Sequence, residues 1–167
     1  MSSSELPENS LPTAEAFRRA CGRFATGVAI VTTLDAAGAP YGVTVNSFTS
    51  VSLDPPLVLF CLDRGAQALA AFSANNPFVI NILDQSQRDL SQRFAARLPD
   101  RFAGLDYRTG LTGAPILHGS LAILECRHQA ALDGGDHLIF VGQVLSVEAC
   151  DGDPLLYFAG AYRHLGS

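Results

Sequence analysis

Residues 41–52, Tyr41-Gly42-Val43-Thr44-Val45-Asn46-Ser47-Phe48-Thr49-Ser50-Val51-Ser52, carry small and hydroxyl-bearing side chains at strand spacing, and Asp54-Pro55-Pro56 stops the run. In a strand, alternate side chains point to opposite faces. Tyr41, Val43 and Val45 therefore share one face, which is ordinary core, and Gly42, Thr44 and Asn46 share the other. The second face is small and polar, and Ser47, Thr49, Ser50 and Ser52 follow as the chain turns. Two readings stand side by side. One is a half-exposed antiparallel strand ending in a Ser/Thr turn. The other is a wall for a flat, polar-edged ligand, which needs little bulk, several hydrogen-bond partners and backbone N–H groups within reach.

Outward from this run, the elements are mostly strands joined by hairpins. Thr13 can cap a first helix, with Glu15 in its opening turn and Phe17, Ala20, Cys21 and Phe24 recurring at helical spacing. The β-branched stretch from Val28 to Leu34 reads as a buried strand, and Asp35 to Pro40 as the turn into Tyr41. Leu57 to Leu62 and Phe78 to Leu83 are further core strands, separated by an alanine-rich helical stretch from Ala66 to Ala74. Ser86 is placed to cap a helix reaching about Arg97, with Leu90, Phe94 and Leu98 inward. Pro99 to Pro115 reads as a loop, either surface structure or a dimer contact. Ser120 to Leu132 and His137 to Ala149 are long strands joined by Asp133-Gly134-Gly135-Asp136, a strong hairpin signal. Leu155 to Phe158 is a last short strand. The sum predicts a mainly β fold, an antiparallel barrel with peripheral helices. No βαβ repeat and no G-x-G-x-x-G after a strand is present, so any nucleotide is bound without a Rossmann fingerprint.

Composition bounds the function. The 167 residues fit one domain, expected over 13–167 after a short disordered lead at 1–12. Charged residues are only 16% of the chain, against roughly 25% in average soluble proteins, which points to extra buried area in a homodimer. A net charge of −5 argues against nucleic-acid binding. No apolar run approaches the roughly 18–20 residues of a membrane span, and the start lacks the basic and apolar regions of a signal peptide. Cys21, Cys61, Cys126 and Cys150 are widely spaced in apolar surroundings, which fits a reduced, cytoplasmic protein rather than a zinc site or a disulfide framework.

Nucleophilic catalysis finds no G-x-S-x-G elbow and no local Cys–His pair. The histidines at 118, 128, 137 and 164 are scattered; His128 and His137 could meet across the last hairpin, but no metal is expected. His137 follows the tight turn and either projects over a pocket mouth or bonds to Asp136. Ser86-Gln87-Arg88 opens a helix, as an anion site or as a plain capped surface helix.

Taken together, the segments resemble the short-chain flavin reductase family, with its flavin-binding split barrel. The resemblance rests on Phe24-Ala25-Thr26-Gly27-Val28, the run from Gly42 to Val58, Val79-Ile80-Asn81-Ile82-Leu83, Leu90-Ser91-Gln92-Arg93-Phe94-Ala95, Gly134-Gly135-Asp136-His137 and Tyr157 to Tyr162. These segments lie in the family's order from about Phe17 to Leu165. The resemblance implies an NAD(P)H-dependent reductase that passes hydride from nicotinamide C4 to N5 of FMN or FAD. NADH or NADPH is the donor and a flavin-dependent oxygenase the partner. It implies that the flavin lies along Gly42, Val43, Thr44, Asn46, Ser47 and Ser52, with Thr44, Asn46 and Ser47 on its polar edge. Cys61, Leu62 and Asp63 would end the next strand, with Asn81 and Ile82 nearby. Gln67 and Gln87 would approach the ribityl-phosphate end, and Phe94 would follow on the same helix. His137, as the catalytic-site residue orienting the nicotinamide, and Tyr162 would border the nicotinamide side. In the loop from Asp63 to Ala68 relatives commonly carry Ser or Thr, where this chain has Arg64 and Gln67. A flavin-binding protein for storage or electron relay, and a haem-binding split barrel using His137 or His164, are the rival readings.

Overall fold

The computed structural model describes residues 11–73 and 75–166. The expected disordered lead, up to residue 10, and Ala74 at the end of the expected alanine-rich helix lie outside the described residues. Helix α1 (Ala14–Cys21) leads into β1 (Thr26–Gly27), β2 (Ala29–Leu34), β3 (Pro40–Val45), β4 (Thr49–Leu53) and β5 (Pro56–Asp63). Helix α2 (Leu69–Ser73), β6 (Phe78–Ile82) and helix α3 (Arg88–Ala95) follow. A small hairpin of β7 (Tyr107–Thr109) and β8 (Pro115–Leu117) comes next. The long pair β9 (Ala122–Gly134) and β10 (His137–Ala149), then β11 (Leu156–Phe158) and β12 (Ala161–Arg163), complete the chain.

Seven strands form one antiparallel sheet in the order β3-β2-β6-β9-β10-β5-β4, and β1, β11 and β12 make a second, smaller sheet. The large sheet curls until the end of β3 meets β5. There the Ser47 hydroxyl accepts from the Cys61 N–H at 2.9 Å and donates to the Cys61 carbonyl at 3.2 Å. This is the expected split barrel. Its interior is aromatic, with Phe60 stacked on Phe140 at 5.3 Å and edge-on to Phe78 at 5.2 Å. A second core, with Ile30, Leu83, Phe94, Phe102 and Leu155, lies outside the barrel under α3. β2 serves both cores, which is why its sequence is a β-branched run without alternation.

Thr13 caps α1 as expected, its hydroxyl accepting from the Ala16 N–H at 3.2 Å. The helix, however, buries none of its residues, and Phe17 is 59% and Phe24 78% exposed. The apolar residues that recur at helical spacing in α1 are therefore not covered by the described residues. Asp84, not Ser86, caps the turn before α3: its carboxylate accepts from both the N–H and the hydroxyl of Ser86, and the Gln87 side chain returns to the Asp84 N–H. These bonds hold the Asp84 carboxyl below its ordinary range. The helix start therefore carries its own anion and offers no free one a place. The expected loop from Pro99 to Pro115 contains β7, and its Arg101 and Phe102 are buried, which a plain surface loop or dimer contact does not provide for. Arg101 donates to the carbonyl of Gly42 at 2.8 Å and to that of Ala96 at 3.0 Å, clasping β3 to the end of α3.

Candidate functional site

β3 presents the alternation read from its sequence. Val45 is buried in the barrel with Tyr41 and Val43 packed against that core, while Gly42, Thr44 and Asn46 face α3 and the small sheet. Along this outer face the three positions have different fates. A Cβ on Gly42 would stand 2.6 Å from Cε1 of the fully buried Phe94, so the position is glycine to let α3 lie close. Thr44 donates its hydroxyl to the Ser91 carbonyl at 2.6 Å, tying α3 to β3. Asn46, one residue beyond β3, is exposed and makes no hydrogen bond among the described residues.

Four concavities meet at Asn46. One of about 290 Å³ runs towards β5 and the β9–β10 turn, past Thr44, Ser47, Cys61, Asp63 and His137. One of about 240 Å³ lies between Thr44, Ala95, Tyr157 and Tyr162. The two largest, about 470 and 440 Å³, lie against the segment from Phe24 to Ala29 and between α1 and the β11–β12 turn. Together they make a groove of the size and mixed polarity that small-molecule sites have.

The groove's walls are fixed from behind. The Tyr162 hydroxyl is 2.8 Å from that of the fully buried Ser91, and the Arg88 guanidinium covers the Tyr162 ring at 5.3 Å. At the other end His137 Nδ1 lies 2.7 Å from the Asp136 carboxylate. The hydrogen bond from His137, then its charge, holds the Asp136 carboxyl below its ordinary range, with a smaller contribution from Arg18. Arg64 donates to the Gly135 carbonyl at 2.8 Å and pairs with Asp133, so it holds the hairpin turn rather than facing the groove.

Of the residues expected at the site, the structure gathers Val43, Thr44, Asn46, Ser47, Cys61, Leu62 and Asp63 from the flavin set, and His137 from the nicotinamide side, around one cavity. Leu62 gives that cavity its backbone, because its side chain is in the barrel core. Ile82 and Tyr162 border neighbouring parts of the groove. Several expected residues are elsewhere. Gly42 and Phe94 are packed on each other, beside a notch of only about 30 Å³. Asn81 is fully buried, donating to the Ile30 carbonyl at 3.1 Å and accepting from the Leu117 N–H at 2.8 Å. Gln87 spends its amide on Asp84 and on the His118 carbonyl. Ser52 lies on the edge strand β4, paired with Leu57, and Gln67 is exposed ahead of α2; neither lines the groove. His137 pairs with Gly134 and His128 with Gly142, so the two histidines stand five positions apart along β10 and do not meet. No cluster of three metal-ligating side chains occurs among the described residues.

The groove also holds residues outside that expectation. Thr26 borders both large cavities, and its hydroxyl is buried without a hydrogen-bond partner among the described residues. Tyr157 pairs with Thr26 across β1 and β11. Thr26 and Ser91 both lie in segments that carry the family resemblance, but the bond from Ser91 to Tyr162 spans 71 residues and has no local signal.

Residues 21–166 match the flavin reductase like domain. The chain belongs to that family. Its relatives include a protein named FMN reductase (NADH) from Agrobacterium fabrum, 47% identical over 87% of this chain and 83% of the relative. Another is a reductase subunit of a flavin-dependent monooxygenase from Rhodococcus jostii, 43% identical over 87% of this chain and 75% of the relative. The chain spans about half, 47%, of the length of a further relative, a probable flavin reductase from Rhizobium meliloti. Among solved structures, the NADH:FAD oxidoreductase of Streptomyces globisporus, in complex with NAD and FAD fragments, superposes with a TM-score of 0.87. It is 35% identical and the match covers 98% of each chain. The fold of this family member is therefore shared with a relative of known structure.

Proposed function

We propose that this flavin reductase transfers hydride from NADH or NADPH to FMN or FAD in the groove around Asn46. The convergence of four cavities on one exposed, unengaged asparagine carries the reading. A flavin ring has a polar edge of alternating donors and acceptors, and an amide offers both kinds of partner. The residues present fit such a group: Asn46 has its amide free, Thr26 has a buried hydroxyl without a partner, and no carboxylate besides Asp63 lines the four cavities.

Bound flavin and nicotinamide supply the redox chemistry between them. The chain's own residues bind, orient and exclude water. Asn46 and the backbone from Thr44 to Ser47 offer hydrogen bonds to the charge that builds on a reduced ring. The Ser91–Tyr162 bond and the Arg88 contact keep the Tyr162 ring from rotating, so that one wall of the groove is preorganised. His137, braced by Asp136, orients the nicotinamide rather than moving a proton.

A second copy of the chain supports the same site. On β5 the residues Leu57, Leu59 and Cys61 point away from the barrel, next to Val141 and Ile139 of β10, and all five are only half-buried. This apolar face runs into the cavity at Cys61 and His137. With the low charge content, it supports a homodimer whose interface adjoins the groove. The monooxygenase relative supports an oxygenase as the consumer of reduced flavin. Four free cysteines, and no helix among the described residues long and apolar enough to cross a membrane, support a cytoplasmic location.

The test is NADH and NADPH oxidation followed spectrophotometrically with FMN, FAD and riboflavin. Turnover that depends on flavin is expected. Tight flavin retention without oxidation of either nucleotide would replace the reading with a flavin carrier.

A further inference from the structure

The β9–β10 hairpin ends in an arm that the rest of the sheet does not flank. β6 pairs with β9 only from Ala122 to Cys126, so the outer edge of β9 from Arg127 to Gly134 has no strand beside it among the described residues. A register shift between Val141 and Gly142 sets this arm off from the lower hairpin, and β5 stops at Asp63, opposite His137. The turn from Asp133 to Asp136 thus projects past its neighbours. Among the described residues, the hydrogen bonds that reach it from outside the hairpin all come from Arg64. The Arg64 N–H donates to the Asp136 carbonyl at 2.9 Å, its Nε to the Gly135 carbonyl at 2.8 Å, and the end of its guanidinium to the Asp133 carboxylate. An exposed ion pair alone would hold little. Bonds from one residue to Asp133, Gly135 and Asp136 together fix the direction of the turn. They fix with it His137, which the Asp136 carboxylate braces at the edge of the cavity by Asn46. Arg64 is spent in this way although Asp63 and Ala66, on either side of it in the chain, both line that cavity. It is the one cation of the loop from Asp63 to Ala68, and the turn has engaged it.

We propose that Arg64 is a positioning residue for the pyridine nucleotide: it acts through His137, by clasping the turn that carries it, and takes no part in holding a flavin phosphate. The proposal rests on the flavin reductase reading and on the place of His137 beside the nicotinamide.

Steady-state oxidation of NADH or NADPH, whichever the wild type uses, is measured with FMN and with riboflavin. The proteins compared are the wild type, Arg64→Ala, Arg64→Lys, His137→Ala and the double variant of Arg64→Ala with His137→Ala. Arg64→Ala is expected to raise the KM for the nucleotide about two- to tenfold, the range of one ordinary hydrogen bond, and to leave the KM for either flavin within about twofold. Arg64→Lys keeps a charge beside Asp133 but not the planar fork that also reaches the Gly135 carbonyl, so it is expected to recover only part of the loss. In the His137→Ala background, Arg64→Ala is expected to change the nucleotide KM by less than about twofold, because the residue it acts through is gone. An equal effect of Arg64→Ala in both backgrounds overturns the proposal, as does an unchanged nucleotide KM. A KM that rises for FMN but not for riboflavin also overturns it, and makes Arg64 a phosphate ligand. The Arg64 side chain is 45% exposed, so its variants are expected to fold, and a matching thermal melt checks this. If Arg64→Ala does not fold, Arg64→Lys carries the same comparison with and without His137→Ala. A wild type that oxidises neither nucleotide with any flavin overturns the flavin reductase reading, and this proposal with it. A wild type that turns over while the Arg64 effects fail to depend on His137 overturns this proposal alone.

Discussion

Replacing Asn46 with leucine separates ligand binding from folding in a way the structure makes quantitative. Asn46 is exposed, lies past the end of β3 and makes no hydrogen bond among the described residues. Its loss therefore removes no bond that holds the fold, and surface changes of this kind stay within about 0.5 kcal/mol. The same change leaves the polar edge of a bound flavin without a partner, at about 1–3 kcal/mol. That corresponds to a Kd about 5- to 150-fold weaker. Asn81 is the natural contrast. It is fully buried and bonded to the Ile30 carbonyl, the Thr32 hydroxyl at 3.2 Å and the Leu117 N–H. Asn81→Leu strands several buried groups, so a loss of at least about 2 kcal/mol in folding is expected. Flavin-fluorescence quenching gives the Kd, and urea denaturation gives the stability. An unchanged Kd in Asn46→Leu would remove Asn46 from the site, and the stability loss expected of Asn81→Leu would make it a structural residue instead.

Other consequences are as specific. Gly42→Val pushes a side chain into the buried Phe94 ring and should cost about 1–3 kcal/mol or more, seen as a lower urea midpoint; a wild-type midpoint would mean that α3 yields easily. Maleimide labelling of the native protein should modify the exposed Cys21 and Cys150 and spare Cys126, whose thiol burial pushes up to about 12. Mass spectrometry showing early modification of Cys126 would contradict its place in the core. His137→Ala should raise the KM for NAD(P)H more than that for flavin, and the opposite pattern would move His137 to the flavin side. The Asp136 carboxyl that braces it is depressed by their hydrogen bond. Its stabilising contribution should therefore be complete above the ordinary carboxylate range and disappear as pH falls through the lowered value. A thermal melting temperature that rises in Asp136→Asn at neutral pH would reverse that sign.

How much of this was legible in the sequence follows from the range of the interactions. Alternation along Tyr41 to Asn46 decided which side chains face the barrel, because the strand period is set by backbone geometry alone. The two-glycine turn after Asp133 placed the last hairpin within about two residues at its start. What the sequence could not show was which polar residues were already engaged. Asn46 and Asn81 look equally suited to a ligand, and only the positions of Ile30, Thr32 and Leu117 around Asn81 show that its amide is spent. Gly42 has the small size a ligand wall needs, but Phe94, 52 positions away, is what uses the space. Ser86 stands nearer the periodic residues than Asp84 does, and a capping box shows itself only when both of its bonds are seen. The uncovered apolar face of α1 has another physical reason. Helical spacing of apolar residues marks a face that needs covering, and says nothing of whether its own chain covers it.

The flavin ring is placed by this proposal in the groove around Asn46. Crystallography of the protein with bound flavin tests it most directly. Ring density is expected against Thr44 to Ser47, between Tyr162 and His137, with the Asn46 amide within hydrogen-bond distance of the polar edge. A ring bound away from β3, with the Asn46 amide still unengaged, would contradict it.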